Sequence, residues 1–192
     1  MRDPIPESLA QVRKIGTVCV LQKEAPMTPR FTIQRLLQTP RSLVWDVCTQ
    51  AQHLTNWFGP KGCRVTHNVL DLRVGGSYLH CIELPDGLQM WGKWSFHAIT
   101  APERIVHVQN FSDPDGGMSR HPMNPEWPAY MLATTTLEER GAQTLFTLEW
   151  APYQATEQEC AVFEAGQESM RKGWGGNLDV LESYLAQIQG GA

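Results

Sequence analysis

The alternation of apolar and polar positions changes period along the chain, and each change marks an element. Phe31, Ile33, Arg35 and Leu37 alternate with Thr32, Gln34, Leu36 and Gln38, which predicts a strand. Thr39-Pro40 ends it: Thr39 is read as an N-cap and Pro40 as the first helical residue, with Leu43, Val44 and Val47 forming one face of a short helix. Thr49-x-x-Gln52 reads as a capping box opening a second short helix that stops at Gly59-Pro60. Strands are then predicted at 64–70, 77–84, 88–99, 104–111, 129–137 and 143–150. Gly75-Gly76, Pro85-Asp86-Gly87, Ala101-Pro102 and Glu139-Arg140-Gly141 punctuate them as turns. Residues 112–128 have no period and contain Pro114, Pro122, Pro125 and Pro128, so they read as a long loop of the kind used for lids and binding segments.

The chain closes on a helical period. Thr156-x-x-Glu159 is a capping box, and Phe163, Met170, Trp174, Leu178, Leu181, Leu185 and Ile188 make one apolar stripe, predicting a single continuous helix. Gly166, Gly173, Gly175 and Gly176 interrupt it, each at a cost of up to about 1 kcal/mol of helix propensity. A close approach of the sheet, or room for a ligand, would offset that cost. Ahead of the first strand, residues 1–29 read as an extension: Pro4, Pro6, Pro26 and Pro29 bracket an apolar stretch from Val12 to Leu21. That stretch would form a strand or a helix laid on the domain of residues 30–189, or on a neighbouring subunit, in which case the chain would be a homodimer.

Composition narrows the functional classes. At 192 residues the chain is long enough for one self-sufficient core, and 42% apolar with 19% charged residues is globular rather than disordered. A net charge of −4 with no run of Lys or Arg gives no footprint for nucleic acid. No apolar stretch approaches the roughly 20 residues of a membrane span, and no signal segment is evident. Five cysteines, an odd number without a C-x-x-C pair, fit a reducing compartment, so a cytoplasmic location is expected. His53, His67, His80, His97, His107 and His121 show neither H-x-x-x-H nor H-x-H spacing, so no metal is expected. With no nucleophile motif or phosphate loop either, no cofactor and no catalytic residue is assigned.

Four segments carry a family resemblance. Thr39-Pro40-Arg41-Ser42-Leu43-Val44-Trp45, His53-Leu54-Thr55-Asn56-Trp57-Phe58-Gly59-Pro60, Asp71-Leu72-Arg73-Val74-Gly75-Gly76, and Gly173-Trp174 with Leu178, Leu181 and Tyr184-Leu185 occur in order with sensible spacing. Together they resemble the domain family named after the activator of the heat-shock-protein-90 ATPase, within the START-like (Bet v 1-like, SRPBCC) superfamily. Phe58 stands where that pattern has a second Trp. The resemblance implies an α+β helix-grip fold, a curved antiparallel sheet around a long C-terminal helix with two short helices after the first strand.

In such a fold alternate strand residues face the helix. Tyr78, His80, Ile82, Trp94 and Phe96 are expected inward, and Ser77, Cys81, Lys93 and Ser95 outward. Trp57, Phe58, Trp127, Met170 and Trp174 are expected to close a ligand pocket with Tyr78, His80, Trp94 and Phe96. Arg73 is read either as the partner of Asp71 in a solvent-facing turn or as an anchor for an anionic group. The function expected first is binding of a hydrophobic or amphipathic small molecule in an internal cavity. The alternatives are an interaction module acting on a chaperone or regulator, as the family name suggests, and a cyclase-like enzyme using the same cavity.

Overall fold

The computed structural model describes residues 28–191, so the expectations for the preceding extension fall outside the described residues. The chain runs β1 (Phe31–Leu37), α1 (Arg41–Thr49), α2 (Ala51–Trp57), β2 (Arg64–Leu70), β3 (Ser77–Glu83), β4 (Gln89–Thr100), β5 (Arg104–Ser112), β6 (Met118–Ser119), β7 (Met131–Arg140), β8 (Gln143–Pro152), α3 (Glu157–Ala165) and α4 (Gln167–Gly190). The strands form one antiparallel sheet in the order β1-β8-β7-β5-β4-β3-β2, with the two-residue β6 paired to β5 inside the segment expected to be loop. Register shifts between Val65 and His67 and between Phe96 and Ala98 add local twist to the sheet.

The period-two reading of β1 holds in detail: Phe31 and Leu37 are fully buried, while Thr32, Gln34 and Leu36 are exposed. Leu178, Leu181 and Leu185 of α4 are sealed against a core of Leu37, Val44, Val47, Leu54, Phe146 and Leu148. Burial of each such side chain contributes about 1.5–3 kcal/mol, which is what fixes the helix in the grip of the sheet.

Three local expectations are corrected. Thr39 does not cap α1; it donates its hydroxyl to Gln189 Oε1 at 3.2 Å, its carbonyl accepts the Thr144 hydroxyl at 2.7 Å, and the helix starts at Arg41 with Pro40 flanking it. Thr49 is still helical, so its hydroxyl donates to the Trp45 carbonyl one turn back at 2.6 Å, and Gln50 takes the position before α2. The C-terminal stripe is two helices rather than one, broken at Gly166, while the Thr156 capping box at its start is formed as read.

Residues of the second and fourth sequence segments meet in space. The Tyr184 hydroxyl accepts from Asn56 Nδ2 at 3.1 Å and is hydrogen-bonded to His53 Nδ1 at 2.9 Å. Trp57 Nε1 donates to the Val47 carbonyl at 3.0 Å, and the Gly59 N–H donates to Asn177 Oδ1 at 2.8 Å in a buried setting. These bonds clamp α2 to α1 and α4, so much of the motif content is mechanical. The Gly-Gly turn is likewise structural: Gly75 has φ +78°, and a Cβ on Gly76 would sit 2.2 Å from the Asp71 carbonyl.

Candidate functional site

The sheet and α4 do not meet along their whole length. Between β3, β4 and β5 on one side and the start of α4 on the other lies a cavity of about 520 Å³, partly open to solvent. That volume is in the ordinary range for small-molecule sites, about 300–1,000 Å³. Phe58, His80, Ile82, Met90, Trp94 and Phe111 line the sheet side, and His121, Met123, Asn124, Trp127 and Pro128 form a wall from the proline-rich segment. Met131, Trp150, Met170, Gly173, Trp174 and Asn177 complete it.

The backbone pairing explains the first wall. Tyr78 pairs with Trp94, His80 with Gly92 and Ile82 with Met90, so these side chains share one face. Gly92 has no side chain because the His80 ring lies over it: a Cβ there would meet Nε2 at 2.6 Å. Phe58 packs edge-on against His80, Trp94 and Tyr78, with ring centroids 5.0, 5.2 and 6.0 Å away, in the geometry aromatic quadrupoles favour.

Of the residues expected at a pocket, the structure puts Phe58, His80, Trp94, Trp127, Met170 and Trp174 on the cavity wall. Tyr78, fully buried, and Phe96 lie deeper in the core, and Trp57 borders only a second, small void of about 30 Å³ beneath the cavity. Those three are corrections, and the reason is depth: the core closes over that end of the sheet. Arg73 is exposed, pairs with Asp71 at 3.0 Å and is not part of the wall, so the anion-anchor reading is not met at this cavity. Cys81, expected outward, is fully buried because its register neighbours His67 and Trp91 bring their rings to 4.9 Å from one another across it. Sequence reading missed Trp150, Gln109 and Met131. Continuing the alternation Phe146, Leu148, Trp150 along β8 would have found the first of these.

Trp174 is half-buried, standing edge-on to Trp150 at 5.3 Å with its other side on the cavity. The glycines of the stripe separate by role. Gly166 admits Trp127, whose ring would lie 2.8 Å from a Cβ there, and Gly173 leaves open space on the same helix face as Met170 and Asn177.

Burial sets the charge of the site. Desolvation lowers the pKa of His80 to about 3, helped by His107 nearby, and His107 itself is lowered to about 3 by burial. His121 is also lowered by burial, and its Nδ1 accepts the Met123 N–H at 3.1 Å, which leaves the proton on Nε2. Among the described residues no three His, Cys, Asp or Glu side chains stand together to hold a metal ion.

The proline-rich segment is tied down by one carboxylate. Glu159 accepts from the Thr156 N–H at 2.9 Å, from Arg120 at 2.7 Å and from the Ala129 N–H at 3.2 Å. The Thr156 N–H first, then Arg120, hold its pKa near 2 instead of 4.5. A folded value below the unfolded one stabilises above pH 4.5 and is lost as pH falls toward 2. Glu159→Gln is therefore expected to cost about 1–2 kcal/mol at pH 7, discounted because Arg120 is half exposed, and to flatten the acid limb of stability. Urea unfolding at pH 7 and near pH 3 checks this; parallel pH profiles for both proteins would contradict it.

No curated protein matches the chain. Among solved structures, a protein from Nitrosomonas europaea is 24% identical, covering 84% of this chain and 96% of its own, with a TM-score of 0.65. A protein from Arthrobacter aurescens is 23% identical over 82% and 86% of the two chains, with a TM-score of 0.68. The AHSA1 protein from Silicibacter pomeroyi, 15% identical, covers 83% and 99% at a TM-score of 0.65. These likenesses concern the fold, and they agree with a curved antiparallel sheet gripping a long C-terminal helix. The profile described as activator of Hsp90 ATPase homolog 1-like protein matches residues 38–186, most of the chain, and the chain belongs to that family.

Proposed function

We propose that the protein binds a hydrophobic or amphipathic small molecule in the cavity between the sheet and α4. The observation that carries this reading is the cavity itself, about 520 Å³ walled by Phe58, Trp94, Trp127, Trp150 and Trp174, where a close-packed core would be expected. Gly173 adds to it, since a glycine inside a helix costs stability and here opens space onto the cavity. Among the described residues the wall contains no carboxylate, so they do not supply the acid and base pair that a cyclase-like reading would draw on. No helix among the described residues is long and apolar enough to cross a membrane, and the free thiols Cys48, Cys63, Cys81 and Cys160 suit a cytoplasmic setting. A protein partner of chaperone or regulator type, and a homodimer, would engage surfaces outside the cavity.

The test separates binding from folding. A Cβ at Gly173 meets nothing within 4 Å, so Gly173→Leu projects into the open space and improves helix propensity, and stability is expected to rise by about 0.5–1 kcal/mol. Affinity for the neutral apolar dye Nile red, followed by fluorescence, is expected to fall at least about tenfold, or 1.4 kcal/mol. Unchanged Nile red binding by a folded Gly173→Leu protein, or no saturable binding by the parent, would remove this function.

A further inference from the structure

The polar groups of the cavity are all uncharged. Among the described residues neither Asp, Glu, Lys nor Arg lines it, and its titratable side chains are His80 and His121, both of which burial keeps neutral above mildly acidic pH. The ion pair of Arg120, next in sequence to the wall residue His121, with Glu159 is internally neutralised and holds the proline-rich segment. Hydrogen bonding is nevertheless on offer. Gln109 faces both the cavity and the small void below it, and that void is also bordered by Thr135, His107 and Trp150. Trp150 Nε1 has no hydrogen-bond partner, and the ring of His107, which is 3% exposed, has only the Gln109 side chain beside it to bond with. A neutral donor–acceptor group arriving beside Gln109 meets unspent donors and acceptors. A carboxylate or ammonium arriving there would surrender its hydration and find no countercharge.

Resting on the binding reading above, we infer that the cavity selects uncharged ligands, apolar bodies carrying one hydroxyl or carbonyl received at the Gln109 floor, and rejects the carboxylic acids and amines of the same skeleton. An amphipathic ligand of the fatty-acid type is thereby excluded in its ionised form.

Displacement of Nile red by 1-decanol, decanoate and decylamine, and by 2-naphthol and 2-naphthoate, tests this at pH 7.5. Carboxylic acids and amines are almost wholly ionised there, so the charged members are expected to bind at least about a hundredfold more weakly than the alcohols. Between about pH 8.5 and 6.5 decanoate affinity should rise about tenfold per pH unit fallen, tracking its protonated fraction, while decanol affinity stays flat. Ser169→Lys puts a cation at the cavity mouth from an exposed helix position and should raise decanoate affinity relative to that of decanol. Decanoate binding as tightly as decanol, or a Ser169→Lys protein that leaves their ratio unchanged, overturns the selectivity while Nile red binding keeps the cavity reading intact. Failure of Nile red itself to bind removes both.

Discussion

Phe163→Ala is expected to destabilise the protein by about 3–5 kcal/mol, the range for removing a fully buried phenylalanine. Phe163 is fully buried on α3 in a cluster with Phe31, Met131 and Met170, apart from the main leucine core. Its ring centroid lies 5.6 Å from that of Trp127, the residue that brings the proline-rich wall onto the helix break at Gly166. Truncation leaves a cavity and removes the platform for that wall, so Nile red affinity should fall along with stability. Denaturant titration measures the first effect and dye binding the second. A loss below about 1 kcal/mol would mean that this cluster packs far more loosely than the structure describes.

Gly92→Val should cost about 3 kcal/mol, at the upper end of overpacking penalties. The Cβ would meet His80 Nε2 at 2.6 Å and Cε1 at 2.8 Å. A free side chain would swing away, but His80 is boxed by Tyr78, stacked at 4.7 Å, by Phe58 at 5.0 Å and by Trp94 at 5.7 Å. A second variant provides the control. His80→Ala removes the obstructing ring, so the double variant should be less damaged than the sum of the single ones, with a coupling of about 1–2 kcal/mol. Additive losses would show that Gly92 is needed for its backbone conformation instead of for the ring above it.

Burial explains why His80 and His107, chemically conspicuous in the sequence, take no charged role. His107 stacks on Trp94 at 4.3 Å, and His80 lies among three aromatic rings. In such surroundings the imidazole is an aromatic with two hydrogen-bonding corners, because desolvation makes its cation too costly.

What the sequence by itself determined is local and periodic. Alternation located the strands to within a few residues, the Thr156 box placed the start of α3, and the four ordered segments identified the helix-grip arrangement. These follow from side-chain direction and backbone hydrogen bonding, which near neighbours decide. The facing of β3 and β4 was not legible, because a period of two leaves two answers and only the packing of the whole sheet chooses between them.

Depth was decided by tertiary structure alone. Tyr78, His80 and Trp94 share a face, yet only His80 and Trp94 reach the cavity, since what covers each residue comes from distant α2 and α4. Cys81 is buried on the face expected to be outward because two rings from neighbouring strands meet over it. The end of the continuous stripe at Gly166 depends on Trp127, about forty residues earlier, needing the space of a missing Cβ. Thr39 and Thr49 had the right chemistry to cap, but Thr39 found Thr144 and Gln189 across the fold and Thr49 stayed within its own helix. Local preferences of about 1 kcal/mol yield when long-range packing offers more, and the cavity is where that packing stops.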